Sequence, residues 1–376
     1  MSQNGLYIHI PFCKSRCIYC DFYSTTCGQT VQKAFVSALC NEMGKREREP
    51  LLSSIYIGGG TPSVLAADSL TAIFDTISKY WQLQPLAEVT LEANPDDINA
   101  DYAKALASLP VNRVSMGVQT FCNKSLRFLN RRHTAQQVTE AIDRLMAAGI
   151  DNISIDLIYG LPHQSLDDWR HDLDAAFALP VSHVSAYALI YEDGTPLQRM
   201  LEEGHVKEAD EELSLRMYEM LIDHAESKGF VHYEISNFAL PGREARHNSG
   251  YWHGMHYLGL GPAAHSYDGH SRQWNSSDLM AYIRANGDTI GAGLCTTEEL
   301  TPQIRQEEAI LTQLRTAAGI DLTAFRRDFG QEKLDALLSR AYPYINSGTL
   351  ALREEALTLT RKGLFISDGI ISSLFE

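Results

Sequence analysis

The sequence predicts an α/β fold: an open, partial (β/α)6 barrel followed by a small, mostly helical, winged-helix-like domain. Three observations carry this. Over the first 240 residues, short apolar runs alternate with amphipathic helical segments, the pattern of parallel strands joined by helical crossovers. Six such units are present, too few for a closed eight-stranded barrel. Past residue 240 the texture changes, first to a segment rich in Gly, His and aromatic residues and then to helical periodicity. The expected organisation is therefore a barrel over 1–240, a connecting segment over 241–299 and a C-terminal helical domain over 300–376.

Taken in order, the strand candidates are 6–10, 54–57, 88–93, 113–118, 152–158 and 183–190. Thr30 is expected to cap a helix with Phe35, Leu39 and Met43 on one face. Thr134 should cap another that buries Val138, Ile142, Leu145 and Met146 and stops at Gly149. Ser165 opens a third, with Asp167 and Asp168 in its first turn and Leu166, Trp169 and Leu173 facing inward. A longer helix is expected over 208–228, ending at Gly229. In the C-terminal part, 306–314 and 333–339 are periodic as helices, and 356–366 reads as a two-stranded wing. No solenoid repeat or low-complexity tract interrupts the chain.

With 376 residues the chain can bury a large core. A formal charge of −15 argues against nonspecific nucleic-acid binding, which needs a basic footprint. No run approaches the ~18 apolar residues of a membrane span, and no charged-then-apolar leader precedes Leu6. The seven cysteines are three clustered and four scattered, an odd total that speaks against a disulfide framework. A reducing, cytoplasmic setting is expected.

The clustered three, Cys13, Cys17 and Cys20, stand at C-x3-C-x2-C directly after the first strand. Thiolates are soft ligands for zinc, copper(I) or iron–sulfur clusters. A structural zinc site normally closes with four ligands, whereas a 4Fe–4S cluster on three thiolates leaves one iron free. The other strands also end on unusual residues. Gly58-Gly59-Gly60-Thr61 follows strand two, Glu92 and Asn94 end strand three, Gln119 follows strand four, and Asp156 and Tyr187 lie in strands five and six. Active sites of parallel barrels lie at the C-terminal ends of the strands, so six strands deliver polar oddities to one rim. Taken singly, each has a structural reading: a tight glycine turn, a rim salt bridge at Glu92, a solvated basic patch at Arg131. Asp156 is harder to explain away, because a carboxylate in an apolar strand costs several kcal/mol unless partnered. Bare backbone at Gly58–Gly60, an acceptor for ammonium at Glu92, a fork for carboxylate at Arg131 and acceptors for ribose together describe an amino-acid nucleoside. S-adenosylmethionine chelating the free iron fits all of them.

The motifs Tyr7-Ile8-His9-Ile10-Pro11-Phe12-Cys13, Gly58-Gly59-Gly60-Thr61-Pro62-Ser63, Leu91-Glu92-Ala93-Asn94-Pro95, Gly117-Val118-Gln119-Thr120-Phe121 and Asp156-Leu157-Ile158-Tyr159-Gly160 resemble the radical S-adenosylmethionine superfamily. With the C-terminal Leu357-Thr358-Leu359-Thr360-Arg361-Lys362-Gly363, the chain is similar to the oxygen-independent coproporphyrinogen III oxidase family and its haem chaperone branch, HemW. The resemblance implies that Cys13, Cys17 and Cys20 bind a 4Fe–4S cluster. It also implies that Tyr7, Gly60, Thr61, Glu92, Gln119, Arg131 and Asp156 surround S-adenosylmethionine, with Gln119 and Asp156 on the ribose, Arg131 on the carboxylate and Glu92 on the amino group.

Two departures separate the branches. Phe22 stands where the oxidase carries a fourth cysteine, and only six residues precede Tyr7, where the oxidase has a longer extension. His247-Asn248-Ser249-Gly250-Tyr251-Trp252 is similar to the H-N-x-x-Y-W signature of the chaperone. The resemblance implies that His247 ligates haem iron while Tyr251 and Trp252 offer a flat surface to the macrocycle, with His253, His256 and His265 as alternative ligands. The first function expected is thus haem binding and delivery, and the second is oxidative decarboxylation of coproporphyrinogen III. The implied partners are apo-forms of respiratory haem proteins, with a cluster-dependent homodimer, and the implied location is cytoplasmic, free or peripheral at the membrane.

Overall fold

A computed structural model of the protein describes residues 4–47 and 49–375. Six parallel strands, β1 (Asn4–Ile10), β2 (Leu51–Gly59), β3 (Gln82–Ala93), β4 (Arg113–Gln119), β5 (Ile153–Tyr159) and β6 (His183–Ala188), lie side by side in sequence order. Helices α1 (Gln29–Lys45), α2 (Ala67–Tyr80), α3 (Ala100–Ala107), α4 (Asn123–Phe128), α5 (Ala135–Ala147) and α6 (Leu166–Ala178) form the crossovers. After β6 come α7 (Pro196–Glu202), α8 (Glu211–Ser227) and the antiparallel strands β7 (Val231–Glu234) and β8 (Asn237–Ala239), which extend one edge. The sheet does not close on itself and is an open barrel, as the unit count predicts.

Successive strand residues point to opposite faces, and here the faces differ in chemistry. Leu6, Ile8 and Ile10 of β1, Ile55 and Ile57 of β2, Val114 and Met116 of β4, and Ile153 and Ile155 of β5 pack against the helices in the main core. The alternate residues, Tyr7 and His9, Ser54 and Tyr56, Glu88 and Glu92, Arg113 and Ser115, and Ser154 and Asp156, line a polar lumen. A one-residue slip would exchange the two faces, so register is strongly fixed.

The predicted caps fare unequally. Thr134 and Ser165 each close a capping box, with Gln137 and Asp168 as the reciprocating side chains. Helix α8 starts later than expected, on Asp210, whose carboxylate accepts the Leu213 N–H. Thr30 does not cap α1. The helix begins at Gln29 behind Gly28, and no side chain bonds its first turn.

Residues 241–299, expected as a connecting segment, build onto the same sheet. A short helix α9 (Arg246–Trp252) leads into β9 (His256–Leu260), which pairs in parallel with β1, and β10 (His265–Tyr267), β11 (Ser271–Asn275) and β12 (Cys295–Glu299) follow antiparallel. Helix α10 (Leu279–Arg284) lies between β11 and β12. The buried Glu42 of α1 locks this extension in place. Its carboxylate accepts from the Gly261 N–H at 2.8 Å, Asn275 Nδ2 at 2.8 Å and the Tyr282 hydroxyl at 2.7 Å.

The C-terminal unit has its own core around Ile310, Leu314, Phe325 and Leu337. Its order is α11 (Pro302–Leu314), β13 (Ile320–Asp321), α12 (Leu322–Phe329), α13 (Gln331–Ser347), β14 (Leu350–Arg353), β15 (Ala356–Leu359), α14 (Arg361–Leu364) and α15 (Ser367–Ser373). The wing is the β14–β15 hairpin, with β13 as a third strand on β15. The expected wing over 356–366 is corrected accordingly: only Ala356–Leu359 is strand, and its hairpin partner precedes it.

Candidate functional site: the rim of the six strands

The cysteine loop leaves β1 through Phe12, which is fully buried edge-on to Phe35. Backbone pairs Cys13 N–H to Thr25 O (3.0 Å) and Thr25 N–H to Pro11 O (2.8 Å) fix its start. Its middle is held from the other loops. Ile18 donates to Leu129 O at 3.3 Å, Leu197 donates to Ile18 O at 3.0 Å, and Ile18 and Tyr19 pack on Leu129, Ile158 and Leu161. Between these anchors Cys13, Cys17 and Cys20 remain free thiols, half-buried. Burial first, then the neighbouring Cys17 and Cys13, pushes the Cys20 thiol up to about 11. Among the described residues no three His, Cys, Asp or Glu side chains converge on a single ion. That bears on a mononuclear site and not on a cluster that takes one thiolate per iron. Phe22, just past the third cysteine, is 64% exposed.

One carboxylate braces the loops around this centre. Asp97, in the turn after β3, accepts from Lys14 Nζ at 2.6 Å, Ser63 Oγ at 2.9 Å and Arg132 Nη2 at 3.2 Å. It thereby joins the cysteine loop, the loop after β2 and the loop before α5.

Glu92 ends β3 facing the lumen. Its Oε1 accepts from the Tyr56 hydroxyl at 2.6 Å and its Oε2 from the Gly59 N–H at 3.1 Å. Burial first, then Asp156, raises its carboxyl to about 7, against the pull of those two donors and of Arg113. Gly58 must lack a side chain, because a Cβ there would lie 2.8 Å from Glu92 Oε1. Asp156 in β5 is raised to about 6 by burial, offset by Arg113, Ser185 and Ser115.

Gln119 sits at a bulge in the β4–β5 pairing with φ of 70°, a left-handed conformation that costs a non-glycine residue energy and re-aims its side chain. Gly117 makes room for it: a Cβ there would be 2.9 Å from Gln119 Nε2 and 3.1 Å from Arg131 Nη2. Arg131 Nη2 donates to Asn94 Oδ1 at 2.7 Å and to the Gly117 carbonyl, and Nη1 reaches Cys17 Sγ at 3.4 Å. Its Nε is buried with no partner, a donor left for an acceptor that arrives from outside. Thr61 Oγ1 lies 3.4 Å from Cys13 Sγ, and Gly60 passes so close to the backbone of Ile10 and Phe12 that a Cβ would sit 2.7 Å from Phe12 O. Tyr7, one strand over, bonds its hydroxyl to His9 Nδ1 at 2.9 Å. Cysteine loop, bare glycine backbone, raised carboxylates and an orphaned guanidinium N–H thus share one rim. The donor set fits a three-thiolate cluster with an amino-acid nucleoside beside it.

The structure does not bring His247 to such an opening. The ring is fully buried at the floor of the barrel, under the N-terminal ends of β1–β3. Nδ1 pairs with Ser54 Oγ at 2.8 Å and Nε2 with the Tyr251 hydroxyl at 2.8 Å. Burial, and secondarily Arg113, lowers its pKa to about 3, which keeps the ring neutral. Nor are its neighbours a free flat surface: Tyr251 packs edge-on to Tyr257, and the Arg315 guanidinium covers Trp252. His253, His256 and His265 are exposed. Two cavities of about 580 and 590 Å³ flank the floor, the first beside His256 with Tyr257 and Tyr267, the second beside His253 with Pro85 and Leu86.

Sequence reasoning missed Tyr56, Arg113 and Asp97. Arg113 had a usable signal, a charge inside an apolar strand, the same that exposed Asp156. Tyr56 and Asp97 had none, since their roles lie in partners far away in sequence.

With this geometry in hand, comparison with known proteins is informative. The chain matches the Radical SAM superfamily over residues 7–176 and the HemN C-terminal domain over residues 300–366. It is 36% identical to a Lactococcus lactis protein named Heme chaperone HemW, over 98% of this chain and 96% of that one. A Bacillus subtilis protein of the same name is 34% identical over 99% of each chain. The solved coproporphyrinogen III oxidase (HemN) of Escherichia coli, a radical SAM enzyme, superposes with a TM-score of 0.86 over 100% of this chain and 90% of that one, at 22% identity. That last likeness is one of fold.

Proposed function

The chain belongs to the HemW family within the radical S-adenosylmethionine superfamily, and from this membership we propose that it binds haem and delivers it to acceptor proteins. The observation that carries the reading is the end-to-end similarity to proteins named as haem chaperones. Phe22 supports it, because a solvent-facing aromatic stands where the oxidase pattern carries a cysteine.

In this reading Cys13, Cys17 and Cys20 each take one iron of a 4Fe–4S cluster. Glu92 accepts from the ammonium of S-adenosylmethionine, and Arg131 donates to its carboxylate. Gln119 and Asp156 meet the ribose, while Tyr7, Gly60 and Thr61 complete the wall. When bound, the pair supplies one-electron chemistry at the sulfonium. The protein's share is orientation and exclusion of water, through the Asp97 brace and the glycine approaches. Haem is cargo, and its iron is taken by His247, with His253, His256 and His265 as the alternative imidazoles. The recipients are apo-forms of respiratory haem proteins, the assembly is a homodimer, and the setting is cytoplasmic, free or peripheral at the membrane. No helix among the described residues is long and apolar enough to cross a membrane.

The test is to purify the protein without oxygen, reconstitute the cluster, and offer haem and coproporphyrinogen III separately. A stoichiometric Soret shift with no CO2 release supports the chaperone. Release of CO2 from the porphyrinogen would replace it with the oxidase reading.

A further inference from the structure

Gln119 holds a left-handed backbone, with φ of 70°, and a non-glycine residue keeps that conformation only where its surroundings over-determine it. What over-determines it lies in the residues just after it. Asp172 of α6 (Leu166–Ala178), 1% exposed, reaches that turn from behind the rim. Its Oδ1 accepts from the Phe121 N–H at 2.7 Å, and its Oδ2 from the Thr120 hydroxyl at 2.8 Å and from Gln164 Nε2 at 3.2 Å. The Thr120 hydroxyl oxygen accepts in turn from the Cys122 N–H at 3.0 Å. Gln164 Oε1 accepts from the Leu161 N–H at 3.1 Å, so the same carboxylate ties the loop after β4 to the loop after β5. Its helix is fixed from the far side, where the buried Trp169 donates through Nε1 to the Met217 carbonyl of α8 at 2.9 Å. Burial pushes the Asp172 carboxyl up to about 6, against the pull of its donors. A buried carboxylate held by neutral donors is a costly tether, and this one grips the two residues that directly follow the strained one.

We propose that Asp172 is a positioning residue for the rim site: by gripping Thr120 and Phe121 it holds Gln119 in its left-handed turn, so that the amide faces the ribose of S-adenosylmethionine. This rests on the reading that S-adenosylmethionine occupies the rim with Gln119 at its ribose. Asp172 then does behind β4 and β5 what Asp97 does beside the cysteine loop.

The test uses reconstituted full-length protein and three readouts: the change in the reduced-cluster EPR spectrum on adding S-adenosylmethionine, its dissociation constant, and that of an analogue lacking both ribose hydroxyls. No EPR response from the unaltered protein overturns the reading of the rim, and the inference with it. A response without any loss of affinity in Gln119→Ala overturns the ribose contact, and again the inference with it. Otherwise the inference stands or falls on Asp172→Asn, which keeps the shape but offers a single acceptor oxygen to Phe121, Thr120 and Gln164. This variant is expected to weaken S-adenosylmethionine about 3- to 10-fold, the size of one neutral hydrogen bond. The analogue's dissociation constant and the iron content should be unchanged. Adding Asp172→Asn to Gln119→Ala should weaken binding no further, because the carboxylate acts through the amide. A merely structural role would weaken S-adenosylmethionine and the analogue by the same factor, and that result overturns the inference. So does unchanged affinity for S-adenosylmethionine, or additive losses in the double variant. If Asp172→Asn does not fold, Thr120→Val, which removes the tethering hydroxyl and keeps the side chain's volume, decides alone on the same measurements.

Discussion

The two ends of the same six strands are built to different rules. At the rim, buried groups are left incomplete: Arg131 Nε has no acceptor, Gln119 holds a left-handed backbone, and Glu92 and Asp156 keep carboxyls raised to about 7 and about 6. At the floor, the groups around the short helix α9 are closed. Both nitrogens of His247 are bonded, and Glu88 caps α9, accepting from the Arg246 N–H at 2.8 Å and the His247 N–H at 3.0 Å. Burying an unpaired polar group costs about 1–3 kcal/mol, so a rim that tolerates several is shaped for something it does not itself contain. Toward the floor the unpaired atoms are Arg113 Nε and Thr90 Oγ1, whereas the ring of His247 is closed. Residue type is therefore a poorer guide than satisfaction: a histidine in a suggestive motif is closed, while a half-satisfied arginine is open.

The largest expected effect breaks the rim at its centre. Cys17→Ala should abolish cluster assembly, read as iron and sulfide content and loss of the brown colour, whereas Glu88→Ala at the floor should leave both at the level of the unaltered protein. Next, Arg131→Leu and Glu92→Gln should each weaken S-adenosylmethionine about 10- to 100-fold in equilibrium dialysis, the loss of one or two charge-assisted hydrogen bonds. Their cluster content should stay near normal.

Titration separates the two ends in another way. Below about pH 7 Glu92 is protonated and cannot pair with an ammonium, so affinity for S-adenosylmethionine should climb up to about tenfold per pH unit and level off near 7. It should fall again above about 8, as the ligand's amino group loses its proton. The sign is opposite for the stability of the empty protein. A carboxyl that binds its proton more tightly folded than unfolded stabilises fully below the ordinary Glu range, and that stabilisation is lost as pH rises through about 7. Glu92→Gln should flatten this slope in thermal melts across pH 4 to 8. Glu88→Ala at the floor should cost about 2 kcal/mol at neutral pH, the loss of an acceptor for two backbone N–H groups.

Smallest is the contrast between two threonines. Thr134→Ala removes one half of a capping box and should cost about 1 kcal/mol. Thr30→Ala lies inside the first turn of α1 and should cost close to nothing. The difference shows where legibility ends. Thr134 and Ser165 each have a side chain three residues on that reciprocates, a pattern visible along the chain; Thr30 has none. The six parallel strands were legible because their outward faces are short apolar series, mostly Ile, Val and Leu with Met116, Ala93 and Ala186 among them. β9 was not, since its five residues include Gly259 and its partner is β1, some 250 residues away. At the site, the cysteines, Glu92, Gln119 and Asp156 announced themselves just past strand ends or within apolar strands, and Arg131 as part of a basic run before the Thr134 cap; the structure brings them to one rim. The state of His247 was hidden, because Ser54 and Tyr251 close its ring and only folding brings Ser54 beside it.

The central claim is delivery, and it is measured most directly by loading the anaerobic, reconstituted protein with one equivalent of haem and mixing it with an apo-cytochrome of b type. The account predicts that the acceptor's Soret band grows as the donor's declines, faster than from free haem at the same concentration. Haem that stays on the donor, or transfer no faster than from free haem, would contradict it.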